Sequence, residues 1–158
     1  MKRILLLTSL LLLVAGAAIG QSKTSGKNRI AENWIAAWNS NDVETVIPLF
    51  TKDVLYEDVA LAEVNHGIEE LRKFAAGFLA AVPDLKMELL DSSIQGNQGS
   101  IEWVMSGTDK GIYKTGKKFS VRGVSIVNLE NGQISRNRDF YDSATIMRQV
   151  GVLSVATN

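Results

Sequence analysis

Apolar residues near the start of the domain follow the period of an α-helix. One set recurs at spacings of three and four and predicts a first helix that buries one face: Ile30, Trp34, Ala37 and Trp38. The run Asn39-Ser40-Asn41 ends this pattern. Asp42 can then cap a second, short helix that continues to Phe50 and turns its apolar side chains inward.

A brief strand and a longer helix come next. Residues Val54 to Asp58 are typical of a short strand, and a loop leads from there to His66-Gly67. The helix that begins at this point has glutamates in its first turn, where the helix dipole favours negative charge, and an apolar stripe from Ile68 to Leu79. Pro83 stops it. The first half of the domain is therefore predicted to be mainly helical.

The second half switches to a period of two, which is typical of β-strands. Four strands are predicted, over residues 85–94, 100–108, 118–129 and 133–142. Asn131-Gly132 is a strong signal for a tight hairpin between the last two. A short helix from Thr145 to Val150 closes the chain. The predicted class is α+β, with three N-terminal helices packed in a curved antiparallel sheet and a short C-terminal helix.

The last two strands suggest where chemistry lies. On strand 118–129 the inner face is apolar, since Phe119, Val121, Gly123, Ser125, Val127 and Leu129 share one parity. On the return strand the two parities are Ser135, Asn137, Asp139 and Tyr141 against Ile134, Arg136, Arg138 and Phe140. Two arginines are not easily buried unpaired, so the Asp139 face is predicted to point inward as the wall of a polar pocket. The alternative is that Asp139 pairs with Arg136 or Arg138 on a solvated edge.

Large aromatic residues accompany this strand. Five of them fall on the predicted inner faces and form either plain core or the wall of a ligand pocket: Trp34, Trp38, Phe74, Phe78 and Trp103. Met105 lies on the same apolar face as Trp103, two residues further along its strand. His66, the single histidine, is a candidate ligand-contacting residue, although a lone histidine before a glycine is more often a turn residue. It has no recognisable set of metal ligands around it, so neither a metal nor another cofactor is expected.

The N-terminus has the features of a signal peptide, predicted over residues 1–20. Lys2 and Arg3 precede an apolar run that is too short to span a membrane, and small residues follow it. Cleavage is expected after Ala17 or Gly20. A flexible lead over residues 21–28 would then precede the domain. The mature protein is expected to be exported, either periplasmic or secreted, and to have no membrane association after cleavage.

Composition narrows the possible partners. The chain has 17 basic and 17 acidic residues, and removing Lys2 and Arg3 leaves 15 against 17, a balance of about −2. Binding to nucleic acid or to an anionic membrane is not expected from this charge. The chain has no cysteine, which excludes disulfide and thiol chemistry. About 138 residues would remain after cleavage, which suits one domain with room for a small ligand cavity.

Several short motifs occur in the order found in a known fold. These are the run Trp34-Ile35-Ala36-Ala37-Trp38-Asn39-Ser40-Asn41-Asp42, then Tyr56-Glu57-Asp58, His66-Gly67, Gly132-Gln133-Ile134 through Asp139, and Met147-Arg148-Gln149-Val150-Gly151. Together they resemble the cone-shaped barrel of nuclear-transport-factor-two-like proteins and, within it, the SnoaL-like polyketide cyclases. The resemblance implies one such domain over residues 29–152.

The resemblance also implies roles for individual residues. In the cyclases an aspartate on the last strand acts as general acid/base in an intramolecular aldol condensation, and Asp139 matches it. Ser125 stands where the family has an assisting histidine. Ketosteroid isomerases, relatives by fold, have their catalytic base where Asp58 stands and an oxyanion-hole tyrosine near the position of Trp34. Asp58 alternatively caps backbone amides of its own loop.

Two functions follow as expectations. In the first, the protein is a cyclase-type or isomerase-type enzyme that binds a small apolar carbonyl compound, with Asp139 as acid/base and Ser125, Tyr56 or Tyr141 positioning the carbonyl oxygen. In the second, the same cavity binds a ligand or accessory partner without turnover. The fold also suggests a homodimer formed through the outer face of the sheet, where Val104, Ile126, Ile134 and Phe140 are mixed with charged residues.

Overall fold

A computed structural model describes residues 28–154 of the chain. The predicted signal peptide over 1–20, its cleavage site and almost all of the flexible lead over 21–28 lie outside the described residues. The predicted domain over 29–152 coincides with nearly all of the part that the structure describes.

The helices form where the apolar periodicity and the caps predict them. The structure has α-helices α1 (Asn28–Asn39), α2 (Val43–Val46), α3 (Ile68–Ala81) and α4 (Ser143–Val150), with a 3₁₀ helix over Ile47–Leu49. Asp42 caps α2 as predicted, because its carboxylate accepts a hydrogen bond from the Glu44 backbone N–H at 3.0 Å. Gly67 lies before α3 with φ +79°, a conformation that glycine adopts without strain.

Six strands form one sheet in the described part of the chain. They are β1 (Phe50–Asp58), β2 (Glu63–His66), β3 (Lys86–Gln95), β4 (Gln98–Thr108), β5 (Lys118–Glu130) and β6 (Gln133–Tyr141). Their order across the sheet is β2-β1-β6-β5-β4-β3, so the sheet is curved but not closed. The predicted α+β class is confirmed.

Three details of the sheet differ from the prediction. Phe50 is the first residue of β1 rather than the end of a helix, since the short helices already end at Leu49. The segment predicted as a loop after Asp58 contains β2, which pairs with β1 as a hairpin. The pairing of β1 with β6 is parallel, so the sheet is mixed rather than wholly antiparallel. Alternation within one short segment does not reveal the direction of a distant partner strand, which is why the sequence did not show this pairing.

The core fills the concave side of the sheet. Helix α1 is fixed against β3 by Asn39, whose side-chain amide donates to the Met87 carbonyl at 2.8 Å and whose oxygen accepts from the Met87 N–H at 2.7 Å. The largest fully buried side chains include Trp34 on α1, Leu71 on α3 and Trp103 on β4. Large apolar side chains from three elements therefore meet in the centre of the fold.

The predicted inner faces of β5 and β6 are largely confirmed. On β5, Phe119, Val121, Gly123, Ser125 and Val127 are buried and the intervening residues are more exposed. On β6, Asn137 and Asp139 are buried. The expectation that Ile134 faces outward is wrong: Ile134 is 1% exposed and belongs to the core. An irregularity in the β5–β6 register falls between its partner Leu129 and the neighbouring Asn128, and it reverses the face of the residues near the turn.

No helix within residues 28–154 is long and apolar enough to cross a membrane.

Candidate active site

A cavity that opens to solvent lies between the helices and the concave face of the sheet. Most of its wall is aromatic or aliphatic, and its polar groups are concentrated on β1 and β6. The lining residues are Trp34, Trp38, Tyr56, Asp58, Phe74, Phe78, Leu85, Met87, Trp103, Met105, Asp139 and Tyr141. An apolar pocket with a few convergent polar groups is the usual form of a small-molecule site.

Asp139 lies in this wall with only 5% of its surface exposed. Its carboxylate accepts three hydrogen bonds, from the Tyr56 hydroxyl, from Ser125 Oγ at 2.6 Å and from Asn137 Nδ2 at 2.7 Å. Among the described residues it forms no ion pair with Arg136 or Arg138, which excludes the solvated-edge alternative. Asp139 is thus a buried carboxylate that only neutral donors contact.

Ser125 lies beside Asp139 rather than in the cavity wall. The hairpin places the two residues directly opposite each other on β5 and β6. The Ser125 hydroxyl accepts a hydrogen bond from Trp103 Nε1 at 2.9 Å and donates its own proton to Asp139. Because the indole can only donate, it fixes the direction of the Ser125 hydroxyl. Trp103, Ser125 and Asp139 form one directed chain of hydrogen bonds.

A second buried carboxylate stands next to the first. Asp58 is 4% exposed and is the register partner of Asp139 in the parallel pairing of β1 with β6. Its Oδ2 accepts from the Tyr141 hydroxyl at 3.0 Å, and its Oδ1 accepts from the Leu61 backbone N–H at 2.9 Å. Asp58 therefore caps its own loop, as the alternative interpretation held, and also faces the cavity.

The tyrosines cross between the two strands. Tyr56 of β1 donates to Asp139 of β6, and Tyr141 of β6 donates to Asp58 of β1. Each carboxylate therefore has a phenol supplied by the neighbouring strand. In adjacent parallel strands, residues two positions apart share a face, so the register that pairs Asp58 with Asp139 also brings both tyrosines to that face.

Burial controls the ionisation of this group of four residues. It raises the pKa of Asp58 from its ordinary 3.8 to about 6, with the nearby charge of Asp139 as a further cause, although the Leu61 N–H and the Tyr141 hydroxyl oppose the rise. Burial also raises the pKa of Asp139, against the hydrogen bonds from Ser125, Tyr56 and Asn137. The pKa values of Tyr56 and Tyr141 are raised by burial and by the adjacent carboxylates. The phenols stay protonated, and Asp58, with a pKa of about 6, can exchange a proton near neutral pH.

Aromatic rings form the rest of the cavity wall. Trp34 stacks on Trp103 with ring centroids 6.3 Å apart, and Trp38 meets Phe78 edge to face at 6.1 Å. Phe74 packs against Tyr56 at 5.4 Å. All five aromatic residues singled out in the sequence thus line the cavity, together with Met105.

Not every predicted site residue joins this group. His66 is exposed at the end of β2 and does not line the cavity. Conversely, the predicted ligand-contacting residues did not include Asn137, Leu85 or Met87. The sequence could have identified Asn137, because this residue shares the inner face of β6 with Asp139. For Leu85 and Met87 the sequence shows only the alternation that is typical of any core strand.

The described residues contain no group of three or more His, Cys, Asp or Glu side chains that could hold a metal ion. The polar chemistry of this cavity lies in two carboxyl groups, two phenols and three indoles.

Comparisons with known proteins agree with this geometry. The family model of the SnoaL-like polyketide cyclases matches residues 28–150. Cyclase aurE from Calcarisporium arbuscula is 31% identical over 111 residues, which cover 69% of this chain and 82% of that protein.

Solved structures show the same fold. A hypothetical protein from Catenulispora acidiphila with a ketosteroid isomerase-like fold, in complex with trimethylamine, is 24% identical with a TM-score of 0.71, over 77% of this chain and 92% of that one. TerC, co-crystallised with polyporic acid, is 14% identical with a TM-score of 0.67, over 79% of this chain and 98% of that one.

Proposed function

Because this chain belongs to the SnoaL-like polyketide cyclase family, we propose that its cavity carries out acid/base catalysis of the cyclase or isomerase type on a small apolar carbonyl compound, with Asp139 moving the proton. Membership of the family shows that the chain is a cyclase-type small-molecule-binding domain. We propose in addition the type of reaction and the role of Asp139 in it.

One observation carries this proposal: Asp139 is a buried carboxylate in the wall of an apolar cavity, and its neighbours are neutral donors. Burial raises its pKa, which makes the carboxylate a stronger base than an exposed aspartate. The three hydrogen bonds hold the group in one orientation. A base that is both fixed and poorly solvated suits removal of a proton from carbon.

The proton transfers need no reactant other than the ligand and Asp139. Asp139 takes a proton from the carbon next to the carbonyl group, and the C–H electrons shift to give an enolate. In an isomerisation, protonated Asp139 returns the proton to another carbon. In an aldol cyclisation, the enolate carbon bonds to a second carbonyl carbon of the same molecule, and the proton goes to the resulting alkoxide.

Asp58 gives the site a second proton-exchanging group. Two carboxylates side by side in a buried site do not both ionise readily, so the pair favours a state with a single negative charge. The hydrogen bonds favour Asp139 as the charged member, since it accepts three and Asp58 accepts two. Below its pKa of about 6, protonated Asp58 is then available as an acid while Asp139 acts as the base.

The relatives support a small organic ligand. The curated relative is a cyclase, and one structural neighbour was co-crystallised with polyporic acid. For this chain the aromatic wall favours a largely apolar compound.

The test follows exchange of the α-protons of acetophenone for deuterium in D₂O, which reports proton removal without requiring the natural substrate. Asp139→Asn keeps the size of the side chain but removes the base, so exchange catalysed by the protein should fall by about 10²-fold to 10⁴-fold while ketone affinity changes much less. Asp53→Asn, at an exposed position on β1, is the matched control. Unchanged exchange in a folded Asp139→Asn variant would remove Asp139 as the base.

A non-catalytic binding module is the second candidate function. It is favoured by Ser125, which cannot titrate near neutral pH and stands where the family has a histidine. In that case the wild-type protein would bind acetophenone without accelerating exchange, and Asp139→Asn would alter affinity only modestly.

Export and assembly belong to the same proposal. We expect the exported protein to be a homodimer through the outer face of its sheet, where Phe140 is 39% exposed and Val104 and Ile126 are half-buried. Ile134 is not available for this contact, because it is part of the core.

A further inference from the structure

The hydrogen-bond donors of the cavity wall are unevenly used. Five lining residues have an N–H or O–H group: three tryptophans and two tyrosines. Tyr56 donates to Asp139, Tyr141 donates to Asp58, and Trp103 donates to Ser125. The hydroxyl of Ser125 is likewise directed at Asp139. The hydroxyl groups expected to position a ligand oxygen are therefore engaged with carboxylates.

Two donors are left. Nε1 of Trp34 and Nε1 of Trp38 are buried and have no hydrogen-bond partner among the described residues. The side chains are 2% and 3% exposed, respectively. Buried N–H groups are nearly always paired, because an unpaired donor has lost its hydrogen bonds to water without replacement. Both groups belong to residues that line one cavity, which suggests that a molecule bound there pairs with them.

The position of the two indoles on one helix supports a shared role. Trp34 and Trp38 are four residues apart on α1, so they lie on the same side of the helix, and their ring centroids are 6.0 Å apart. Both rings are held by neighbours, Trp34 by Trp103 and Trp38 by Phe78. Donors fixed in this way need little reorganisation when charge develops on a nearby oxygen.

The surrounding charges narrow the chemistry of the ligand. No lysine, arginine or histidine lines this cavity within the described residues, whereas Asp58 and Asp139 both do. A carboxylate or phosphate ligand would be repelled by that pair and would find no cation to neutralise it. A neutral acceptor oxygen meets no such penalty.

We propose that the indole N–H groups of Trp34 and Trp38 form an oxygen-binding subsite that takes the uncharged carbonyl oxygen of the ligand and holds it as it gains negative charge. This inference rests on the proposed function, because it assigns the carbonyl oxygen of that same reaction to a place in the cavity. It divides the site into an acid/base side on β1 and β6 and an oxygen-binding side on α1.

The first test uses two probes that differ in one group. Acetophenone has a carbonyl oxygen, and α-methylstyrene has a methylene group in the same place. In ¹H–¹⁵N spectra of the wild-type protein, acetophenone should shift the indole signals of Trp34 and Trp38 downfield and leave that of Trp103 in place. The alkene should produce no such downfield shift. This measurement requires no substituted protein except for assigning the signals.

The second test removes the donors one at a time. Trp34→Phe and Trp38→Phe keep an aromatic ring but lose the N–H, so each should lower the preference for ketone over alkene, by about tenfold for a well-formed hydrogen bond. Asp53→Asn is the control. Asp53 is exposed on β1 and does not line this cavity, so the ratio of the two affinities should stay near the wild-type value.

Specific results would overturn the proposal. They are equal indole shifts with both probes, an unchanged ketone preference in both variants, or no binding of either probe at millimolar concentration. The first two results would indicate that bound water satisfies the indoles and that the ligand does not. Ketone-specific shifts without α-proton exchange would support the subsite and contradict the enzyme. Exchange that depends on Asp139 without indole shifts would support the enzyme and contradict the subsite.

Discussion

Replacing Asp58 with asparagine should stabilise the protein at pH 8 much more than at pH 4. The variant removes a carboxyl group that is 4% exposed and stands beside a second buried carboxyl group, Asp139. Asparagine has nearly the same size and keeps an oxygen that can accept from the Leu61 N–H. The main change is therefore the loss of a charge that the folded state disfavours.

The magnitude follows from the pKa of Asp58, which burial raises from 3.8 to about 6. Between these values the folded protein holds a proton at Asp58 that the unfolded chain has already released, so the free energy of unfolding falls as pH rises through this window. This shift makes the free energy of unfolding lower by about 3 kcal/mol well above pH 6 than it is below pH 3.8. Asparagine carries no such penalty, and the benefit of the substitution should grow by up to this amount from pH 4 to pH 8.

The assay is urea unfolding of the wild-type and Asp58→Asn proteins at intervals between pH 4 and pH 8. The change of the stability difference with pH reports the ionisation of Asp58 together with the hydrogen bonds that its carboxylate accepts. Asp53→Asn controls for the loss of one exposed carboxylate from the same strand. A stability difference that stays constant across this range would show that Asp58 ionises in the folded protein as it does in the unfolded chain, and the argument from burial would fail.

Three further predictions concern packing, assembly and processing. Gly123→Ala should lower the free energy of unfolding by about 1–3 kcal/mol and disturb the Trp103–Ser125 hydrogen bond, because the added Cβ would overlap the Trp103 ring. Gly77→Ala, where the added Cβ meets nothing within 4 Å in α3, should instead raise it by up to about 1 kcal/mol, and chemical denaturation compares the two. Light scattering at micromolar concentration should give twice the monomer mass, and Phe140→Lys should give a monomer; a monomeric parent protein would refute the sheet-face dimer. Mass spectrometry of the exported protein should find a new N-terminus at residue 18 or 21, and an intact Met1 would refute the signal peptide.

The sequence alone determined the features that depend on neighbours along the chain. Period-two alternation identified the buried face of β5, and the shared parity of Arg136 and Arg138 assigned Asp139 to the buried face of β6. The Asn131-Gly132 turn by itself would place Arg138 opposite Ser125, and only the irregularity between Asn128 and Leu129 brings Asp139 there. The aromatic residues of the wall were also identified, since helical and strand periodicity show which face of an element is buried.

Only the tertiary structure decided the features that depend on distant segments. The parallel pairing of β1 with β6 brings Asp58 beside Asp139 and crosses Tyr56 and Tyr141 between them, although four strands and α3 lie between β1 and β6 in the sequence. No local pattern specifies such a pairing, because alternation shows which face a residue occupies and not which strand will lie alongside. The irregularity that buries Ile134 is equally invisible in the alternation, since it shifts the register by a residue.

Trp34 and Trp38 show both what the sequence determines and what only the folded structure decides. The spacing of Trp34 and Trp38 placed both side chains on the buried face of α1, and that could be predicted from sequence. Whether their N–H groups have partners depends on which acceptors the sheet brings near them, and the two carboxylates of this cavity accept instead from the tyrosines, from Ser125 and from backbone and amide N–H groups. Periodicity fixes the direction of a side chain, whereas hydrogen bonding between distant segments is settled only when the chain has folded.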